Sequence, residues 1–284
     1  MKNLKFLSAC FLVGFLSLAV MTMLNQKEEI QPPPPADIAP AETEQPAQQI
    51  YQGEIIYYDK SWYEQEIPNY TDVILPYNNS DAAYLDNTVF VGDSNTEGLA
   101  LFDHLVYSNV IGKHSMPIQG VCRDEYQVIV EDNPDTEEDE SQYITMIQAI
   151  AARQPARIII NFGTNNAGKD ANAEGFASSY LQVLSQIKAY CPHTQIVIAS
   201  VLPVCYERDY LAIRQDSIDR FNIALADICR ENGYGFLNYN EVFKDSESGY
   251  AKDACFSADG VHLNGDGYRL LLDYAVNHQY NIIS

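Results

Sequence analysis

The amino-acid sequence predicts an α/β fold in which helices cover both faces of a parallel sheet. After residue 87, short apolar runs alternate with longer stretches whose apolar residues recur at helical spacing. The predicted strands are residues 88–91, 106–111, 157–162, 195–201 and 235–239. The predicted helices are residues 142–153, 173–190, 209–232 and 265–279. Because strands and helices alternate along the chain, we expect parallel strands that are buried on both faces.

Individual residues mark several of these elements. The first strand runs directly into the polar turn Gly92-Asp93-Ser94, and Ser94 is expected to open a helix. The stretch 209–232 has one apolar helical face, formed by Ile213, Ile218, Phe221, Ala224, Leu225 and Ile228. Gly233 is expected to end that helix. Residues 265–279 are expected to close the fold with a last helix.

The chain is strongly acidic, which limits the partners it can bind. Its formal net charge is −22, from 17 basic and 39 acidic side chains among 284 residues. Such a surface repels phosphate backbones and anionic lipid faces, so no nucleic-acid partner is expected. The acidic run 135–140 is predicted to be a solvated loop that leads into the next helix, because it lacks the spaced ligands of calcium-binding loops. No metal and no cofactor are expected.

The first 24 residues are predicted to be a membrane anchor or a signal peptide. Lys2 and Lys5 precede an uncharged apolar segment, residues 6–24, that is long enough to cross a bilayer as a helix. Ser17-Leu18-Ala19 offers a cleavage site after a shorter apolar core, so both interpretations stay open, and the length favours the anchor. Either way, the rest of the chain is expected outside the cell, anchored at the extracellular face of the plasma membrane or secreted. The N-terminal segment is the only membrane contact that we expect.

Two further segments precede the α/β domain, which is predicted to span residues 88–284. Residues 25–50 contain six of the 13 prolines and no aromatic residue, which predicts a disordered linker. Residues 51–87 contain the single tryptophan, Trp62, and seven of the 20 tyrosines. This aromatic-rich arm is predicted to be irregular, with one strand at most, and to pack on the main domain. Stacking on sugar rings is the alternative role for its aromatic side chains.

The six cysteines match no zinc-binding spacing. Cys10 lies in the apolar N-terminal segment, and the five others cannot all pair within one chain. Most of them are expected to be small buried apolar residues. One disulfide would suit an extracellular location, and Cys205 with Cys255 is the pair we expect, since both are predicted to lie in loops on the same side of the fold.

Ser94 stands where a parallel α/β sheet places its active site. Active sites of such sheets collect at the carboxyl ends of the strands. The amide hydrogens at a helix start also favour negative charge that develops there. The Gly-x-Ser-x-Gly elbow of lipases is absent, because Thr96 stands at its second glycine. Taken alone, Gly-Asp-Ser would equally be an ordinary helix cap.

Two other segments supply the groups that a serine nucleophile needs. Asn165 and Asn166 follow the third predicted strand, and either amide can donate to the oxyanion of a tetrahedral intermediate, although Asn is also an ordinary turn residue. Asp259 and His262 stand three residues apart before the last helix. The carboxylate can therefore fix the tautomer of an imidazole that takes the proton of Ser94. The order Ser, Asp, His predicts a serine hydrolase or acyltransferase.

Together these segments resemble the SGNH (GDSL-type) hydrolase superfamily. Three sequence blocks are matched in order: Gly92-Asp93-Ser94 with Gly98, Gly163-Thr164-Asn165, and Asp259 to His262. Asn166 replaces the final Asp of the second of these, and we expect this to change geometry more than chemistry. The family also needs a glycine after the second strand, for which Gly120 is the expected match and Gly112 stays open. The resemblance spans residues 83–280 approximately.

The resemblance implies a fold and a set of roles. Its members have a three-layer α/β/α sandwich, flavodoxin-like, with a five-stranded parallel sheet, and they need no metal. At the matching positions, Ser94 would be the nucleophile, His262 the general base and Asp259 the residue that orients it. The backbone amides of Ser94 and Gly120 and the side chain of Asn165 would form the oxyanion hole.

The expected function is that of an extracellular serine esterase. It would hydrolyse acyl esters, in particular O-acetyl esters on carbohydrate, through an acyl-enzyme on Ser94. Its substrate would be an acylated small molecule or glycan. Two alternatives stay open: an O-acyltransferase that acts on a cell-wall polymer, and a non-catalytic glycan-binding or structural wall protein on the same fold.

Overall fold

The computed structural model describes residues 72–78, 81–131, 140–206 and 213–280. The strands are β1 (Thr88–Gly92), β2 (Val110–Gly112), β3 (Glu125–Glu131), β4 (Glu140–Thr145), β5 (Arg157–Asn161), β6 (Gln195–Ala199) and β7 (Gly235–Leu237). The helices are α1 (Ser94–Leu101), α2 (Met146–Arg153), α3 (Ala173–Tyr190), α4 (Gln215–Asn232), α5 (Asn240–Phe243) and α6 (Gly265–Asn277).

Five of the strands form one parallel sheet in the order β2-β1-β5-β6-β7. Within it, Val91 of β1 lies beside Ile111 of β2 on one side and Ile160 of β5 on the other. The strands β3 and β4 form a separate antiparallel hairpin. The sheet order reverses between β1 and β5, which makes the carboxyl ends of these two strands the expected place for a ligand.

Side chains of the sheet alternate between two cores, one on each face. In β1, Val91 packs in the core that also holds apolar residues of α2, α3 and α4. Phe90 packs in the opposite core, which holds residues of α1, α5 and α6. The strand β5 repeats the pattern, with Ile158 and Ile160 in the first core and Ile159 in the second. The fold is therefore the three-layer α/β/α sandwich that the sequence predicted.

All five predicted strands of the sheet are present, but the second is shorter than predicted. The prediction of a strand over 106–111 is wrong for its first part, since Tyr107–Asn109 form a 3₁₀ turn. The side chain of Asn109 explains the turn, because its Nδ2 donates to the carbonyl oxygens of Leu85 and Thr88 over 2.9 and 3.0 Å. The side-chain amide of Asn109 thus fastens this turn to the start of β1.

The β3–β4 hairpin has no counterpart in the sequence prediction. The helix predicted over 142–153 begins only at Met146, because the preceding residues belong to β4. Thr145 and Gln148 fix this start reciprocally: the hydroxyl of Thr145 accepts from the N–H of Gln148, whose side chain accepts from the N–H of Thr145. Of the acidic run 135–140, only Glu140 is described, and it lies in β4 rather than in a loop.

The remaining helices lie close to their predicted positions. The helix α3 has the bounds predicted for it. The helix α4 begins at Gln215 rather than at 209, with residues 207–212 outside the described ranges. Gly233 ends it in the left-handed conformation with φ of +68°, as predicted. The helix α6 ends at Asn277, two residues before the predicted end.

The described part of the aromatic-rich arm packs against the outer strand of the sheet. Ile74 pairs in parallel with Phe236 of β7. The N–H of Leu75 donates to the carbonyl of Phe236 over 2.9 Å, and the N–H of Phe236 donates to that of Val73 over 3.0 Å. Leu75 is buried. Residues 73–75 thus join the edge of the sheet through an isolated β-bridge.

The predicted anchor or signal peptide and the linker, residues 1–24 and 25–50, lie outside the described residues, as does most of the arm with Trp62. Among the helices that are described, none is both long and apolar enough to cross a membrane.

Cys255 is a free thiol, so the predicted Cys205–Cys255 disulfide is wrong. Cys205 is buried in the core shared by α1, α5 and α6, and Cys255 packs against the same core. Burial raises the pKa of the Cys255 thiol, which favours its protonated form. Both residues therefore serve as small apolar side chains.

Candidate active site

Ser94 lies at the carboxyl edge of the sheet, where β1 gives way to α1. The side chain of Asp93 caps the helix, since its Oδ1 accepts a hydrogen bond from the N–H of Asn95 over 3.2 Å. The turn needs Gly92, because a Cβ there would overlap the carbonyl oxygen of Asn161. As the first residue of α1, Ser94 has a backbone N–H without an acceptor inside the helix. That amide can donate to a negatively charged group.

The structure brings His262 to Ser94 from the far end of the sequence. The Nε2 of His262 lies 2.8 Å from the Oγ of Ser94, and its Nδ1 lies 2.6 Å from the Oδ2 of Asp259. Because the two contacts use opposite ring nitrogens, the carboxylate can hold the proton on Nδ1 while Nε2 accepts the proton of the hydroxyl. The three residues predicted as a triad are therefore in contact in the order that nucleophilic catalysis requires.

The loop that carries the histidine holds Asp259 in place. The Oδ1 of Asp259 accepts from the N–H groups of Val261 and His262, both over 2.9 Å. Gly260 adopts φ of +67°, a conformation in which a side chain would be strained. Partial burial pushes the pKa of Asp259 upward, but the hydrogen bonds from His262 and Val261 hold it below its ordinary value. The carboxylate therefore stays ionised as the partner of Nδ1.

Asn95, which the sequence analysis did not single out, fastens the histidine loop to α1. Its Nδ2 donates to the carbonyl of Val261 over 3.2 Å, and its Oδ1 accepts from the N–H of Leu263 over 3.0 Å. These bonds hold the backbone on both sides of His262, and Asn95 itself is only 2% exposed. The nucleophile and the anchor of its base are thus neighbours on one helix.

Asn165 lies beside the start of α1. It belongs to the 3₁₀ turn Thr164–Asn166, which follows β5. Since β1 and β5 flank the reversal of strand order, Ser94 and Asn165 meet at the switch point of the sheet. The Nδ2 of Asn165 lies 3.4 Å from the Oδ2 of Asp93 and 3.4 Å from the carbonyl oxygen of Met116. An amide donor therefore adjoins the serine turn.

Asn166 has different partners. Its Oδ1 accepts from the N–H of Ile118 over 3.1 Å, and its Nδ2 donates to the Oε1 of Gln119 over 2.8 Å. It thus ties the loop after β5 to the 3₁₀ turn Ile118–Gly120. Of the two candidate amides, Asn165 is the one that lies against the Ser94 turn, and Asn166 shapes the neighbouring loop.

The amide of Gly120 is held within its own turn. Its N–H donates to the carbonyl of Pro117 over 2.9 Å. This bond would have to open before the amide could reach an oxyanion, so the role of Gly120 stays a prediction. The alternative, Gly112, ends β2 and allows close packing, because a Cβ there would overlap the backbone of Glu97 on α1.

Asp93 is the deeply buried carboxylate of the site, at 1% exposure. Burial raises its pKa to about 6, although the Asn95 N–H, the nearby His262 and hydrogen bonds from Thr164 and Asn165 act in the opposite direction. An ionised Asp93 would hold the amide of Asn165 more firmly than a neutral one, since hydrogen bonds to a charged acceptor are stronger.

This arrangement can carry out acyl transfer in two halves. In the first, the Oγ of Ser94 attacks an ester carbonyl while the Nε2 of His262 takes its proton. The N–H of Ser94 and the Nδ2 of Asn165 are the donors predicted for the oxygen that becomes negative, and Nδ2 would have to turn from its contacts with Asp93 and Met116 to reach it. Collapse of the intermediate breaks the ester bond, and His262 returns the proton to the leaving alkoxide. In the second half, water attacks the acyl group while His262 takes a proton from it, and collapse then releases the acid as His262 returns the proton to the Oγ of Ser94.

The described residues contain no group of three or more His, Cys, Asp or Glu side chains that could hold a metal ion.

A comparison with protein families identifies the family of the chain. The sequence model of the GDSL-like lipase/acylhydrolase family matches residues 90–270, more than half of the chain. A crystal structure of a GDSL-like lipase from Bacteroides thetaiotaomicron is 17% identical with a TM-score of 0.49, over 75% of this chain and 94% of that one. A family 3 carbohydrate esterase from Clostridium thermocellum is 15% identical with a TM-score of 0.44, over 66% and 91%. No curated protein matches the chain. The family match includes every residue of the candidate site, from Ser94 to His262.

Proposed function

The chain belongs to the GDSL-like lipase/acylhydrolase family, and from that premise we propose that it removes O-acetyl groups from carbohydrate outside the cell. It is an ester hydrolase of the SGNH type. The observation that carries the proposal is the chain of contacts from Ser94 through His262 to Asp259, at 2.8 and 2.6 Å. These contacts support a mechanism in which the acyl group is held on Ser94 and released to water.

The polar surroundings of Ser94 support a small acyl group. Asn165 is exposed beside the start of α1, and its Nδ2 lies 3.4 Å from the Oδ2 of the buried Asp93. A long alkyl chain packed against this amide would remove it from water without offering a hydrogen bond in return. An acetyl group needs little apolar surface, so the exposed amide favours it.

The sequence supports an extracellular location and a carbohydrate substrate. The apolar segment 6–24 behind Lys2 and Lys5 is typical of exported proteins. The proline-rich residues 25–50 would hold the domain at a distance from the membrane. Acetylated polysaccharides are the hydroxyl-rich esters that such a domain would meet at the cell surface. The net charge of −22 argues against a strongly anionic polymer.

The nucleophile is tested by Ser94→Ala in the full-length protein. The activity of this variant on p-nitrophenyl acetate is expected to be at least about a thousandfold lower than that of the wild type. The variant should also no longer be labelled by a fluorophosphonate probe. Ser179→Ala is the matched control, because the hydroxyl of Ser179 lies on the exposed face of α3 and bonds only locally to the carbonyl of Gly175. If Ser94→Ala kept normal activity, Ser94 would not be the nucleophile.

The substrate is tested by acetate release from O-acetylated sugars. Release by the wild-type protein and not by Ser94→Ala would support the proposal. Activity on p-nitrophenyl acetate without activity on any acetylated sugar would contradict the carbohydrate substrate. Product analysis with and without a glycan acceptor separates hydrolysis from transfer to a sugar hydroxyl. Cleavage of the domain by protease added to intact cells is the expected result for an extracellular protein.

A further inference from the structure

A cleft of about 720 Å³ runs along the outer edge of the sheet. It lies between the edge strand β2, the helix α1 and the β3–β4 hairpin. Its volume falls within the range of about 300–1,000 Å³ that is usual for small-molecule sites. We call it the β2 cleft. Of the residues predicted for the triad or the oxyanion hole, only Gly112, the alternative to Gly120, lines it among the described residues.

One end of the β2 cleft adjoins the candidate active site. Glu97, in the wall of the cleft, stands one turn after Ser94 on α1, about 4.5 Å along the helix axis. The Oε2 of Glu97 accepts from the N–H of His114, another wall residue, over 2.8 Å. Two residues further on, the carbonyl oxygen of Met116 lies 3.4 Å from the Nδ2 of Asn165. One short loop therefore forms part of the cleft wall through His114 and contacts the predicted oxyanion donor, Asn165, through Met116.

Exposed tyrosines line the rest of the β2 cleft. Tyr107 precedes β2, and Tyr143 lies on β4; they are 58% and 62% exposed. Tyr126 of β3 is half-buried in the same wall. A tyrosine offers a flat apolar face and a hydroxyl that donates and accepts hydrogen bonds. This combination suits a ligand that has both apolar faces and hydroxyl groups.

The charged residues of the β2 cleft are of both signs. The carboxylates are Glu97 and Glu125, and the cations are Lys113 and Arg153. Arg153 donates to the carbonyl of Val110 over 2.8 Å, and Lys113 donates to the carbonyl of Glu125. Mixed charges give no field that would attract a polyanion. An acyl chain would cover these groups without offering them hydrogen bonds, which is unfavourable.

We propose that the β2 cleft binds the neutral oligosaccharide chain that carries the ester. Pyranose rings have apolar C–H faces and a rim of hydroxyl groups, so they can stack on Tyr107 and Tyr143 while their hydroxyls meet the polar wall. The acetylated sugar would lie at Ser94, and its neighbours in the chain would follow the edge of β2. This inference rests on the proposed function and narrows the substrate to an oligosaccharide or polysaccharide rather than an acetylated monosaccharide.

Chain-length dependence in the full-length enzyme tests the proposal. O-acetylated cellotetraose, xylotetraose and mannotetraose are compared with the corresponding acetylated monosaccharides. The double variant Tyr107→Ala/Tyr143→Ala is expected to raise KM for the preferred tetrasaccharide about tenfold, which corresponds to about 1.4 kcal/mol. Hydrolysis of p-nitrophenyl acetate and of the monosaccharide should not change. Tyr190→Ala is the control, since it removes a similarly exposed tyrosine, at 56%, outside the cleft.

Two kinetic results would overturn the proposal. One is an unchanged KM for the tetrasaccharide in the double variant. The other is a selective loss of activity on p-nitrophenyl decanoate, which would assign the cleft to an acyl chain.

Failure of the proposed function is recognised separately. If the wild-type protein released acetate from no sugar, calorimetric titration of Ser94→Ala with the unmodified tetrasaccharides would still test the cleft. Binding that the two tyrosine substitutions abolish would uphold the β2 cleft as a glycan site. No binding would overturn it.

Discussion

Replacing Asp93 with Asn tests whether the buried carboxylate of the serine turn carries a raised pKa. Burial raises that pKa to about 6 from the ordinary value of 3.8. A group whose pKa is raised by folding binds its proton more tightly in the native state, so its stabilising contribution is present below pH 3.8 and is lost as the pH rises through 6. The difference between the two values, 6 − 3.8 = 2.2, corresponds to roughly 3 kcal/mol.

The assay is urea denaturation of the wild-type protein and of Asp93→Asn at a series of pH values from 4 to 8. Asparagine does not ionise, so the free energy of unfolding of the variant minus that of the wild type reports the ionisation of Asp93 together with its coupling to His262. This difference is expected to increase by roughly 2 kcal/mol between pH 4 and pH 8, mostly below pH 6, and then to level off, because part of the full difference of about 3 kcal/mol falls below pH 4. Asp273→Asn on the exposed surface of α6 is the control, and should show only the small, screened effect of a surface charge.

A difference that stayed constant from pH 4 to pH 8 would refute this reasoning. It would mean that Asp93 ionises in the folded protein as it does in the unfolded chain. Asparagine also changes the hydrogen bonds with Asn95 and Asn165, but that effect adds a fixed offset to the difference. Only the dependence on pH is used, so the offset does not affect the conclusion.

Three further substitutions test the rest of the site. Asn165→Ala is expected to lower kcat by about 10²–10³-fold with little change in KM, because an oxyanion donor acts mainly in the transition state; an unchanged kcat on p-nitrophenyl acetate would exclude that role. Asn95→Ala removes one buried and one partly buried hydrogen bond to the histidine loop. It should lower kcat, and it should lower the free energy of unfolding by about 1–3 kcal/mol; normal values of both would contradict its anchoring role. Gly112→Ala should destabilise the protein by about 1–3 kcal/mol, because the added Cβ would overlap Glu97. Gly265→Ala is the control and should not destabilise the protein, because a Cβ there would meet nothing within 4 Å. Equal unfolding midpoints for these two variants would contradict the close contact.

The sheet could be predicted from the sequence because its strands are buried on both faces. A strand of this kind is apolar at every position, as Ile158, Ile159 and Ile160 are in β5, and such runs stand out from the helical spacing around them. The two cores then follow from the alternation of side chains along each strand. The edge strand β2 was less well predicted, since the turn that precedes it depends on hydrogen bonds from Asn109 to residues more than twenty positions away.

The β3–β4 hairpin was missed because its second strand merges with the helix that follows. Tyr143 and Ile144 continue the apolar spacing of α2, so the helical pattern extends into β4. The signal that would have separated them is the pair Thr145 and Gln148, three residues apart, which is typical of a helix start. The consequence concerns function, since the hairpin provides one wall of the β2 cleft.

The triad could be predicted from local motifs, but the contacts that hold it could not. Ser94, Asp259 and His262 each belong to a short segment with a recognisable pattern. Asn95 belongs to the first of these segments, yet its partners lie 166 and 168 residues away, and nothing local distinguishes it from an ordinary helix residue. Asn165 and Asn166 could not be told apart locally either, because the candidate oxyanion donor is the one that folds against Asp93, and only Asn165 does so.

Close packing of glycines fixes the position of α1. A Cβ at Gly98 would overlap the hydroxyl of Tyr268 on α6, and one at Gly112 would overlap the backbone of Glu97. In the sequence, Gly98 matches a family pattern and Gly112 is a candidate for the oxyanion hole. In the structure, each lets a neighbouring element approach α1 more closely than any other residue would permit.

Because α1 is held in this way, it can serve as the common support of the site. It carries Ser94, it anchors the histidine loop through Asn95, and its Glu97 forms part of the wall of the β2 cleft. A small shift of α1 would therefore move the nucleophile, its base and one side of the cleft together, and their mutual distances would change little. We therefore expect a change that loosens α1, such as Gly112→Ala, to lower the free energy of unfolding. The distance of 2.8 Å between the Oγ of Ser94 and the Nε2 of His262 should change little.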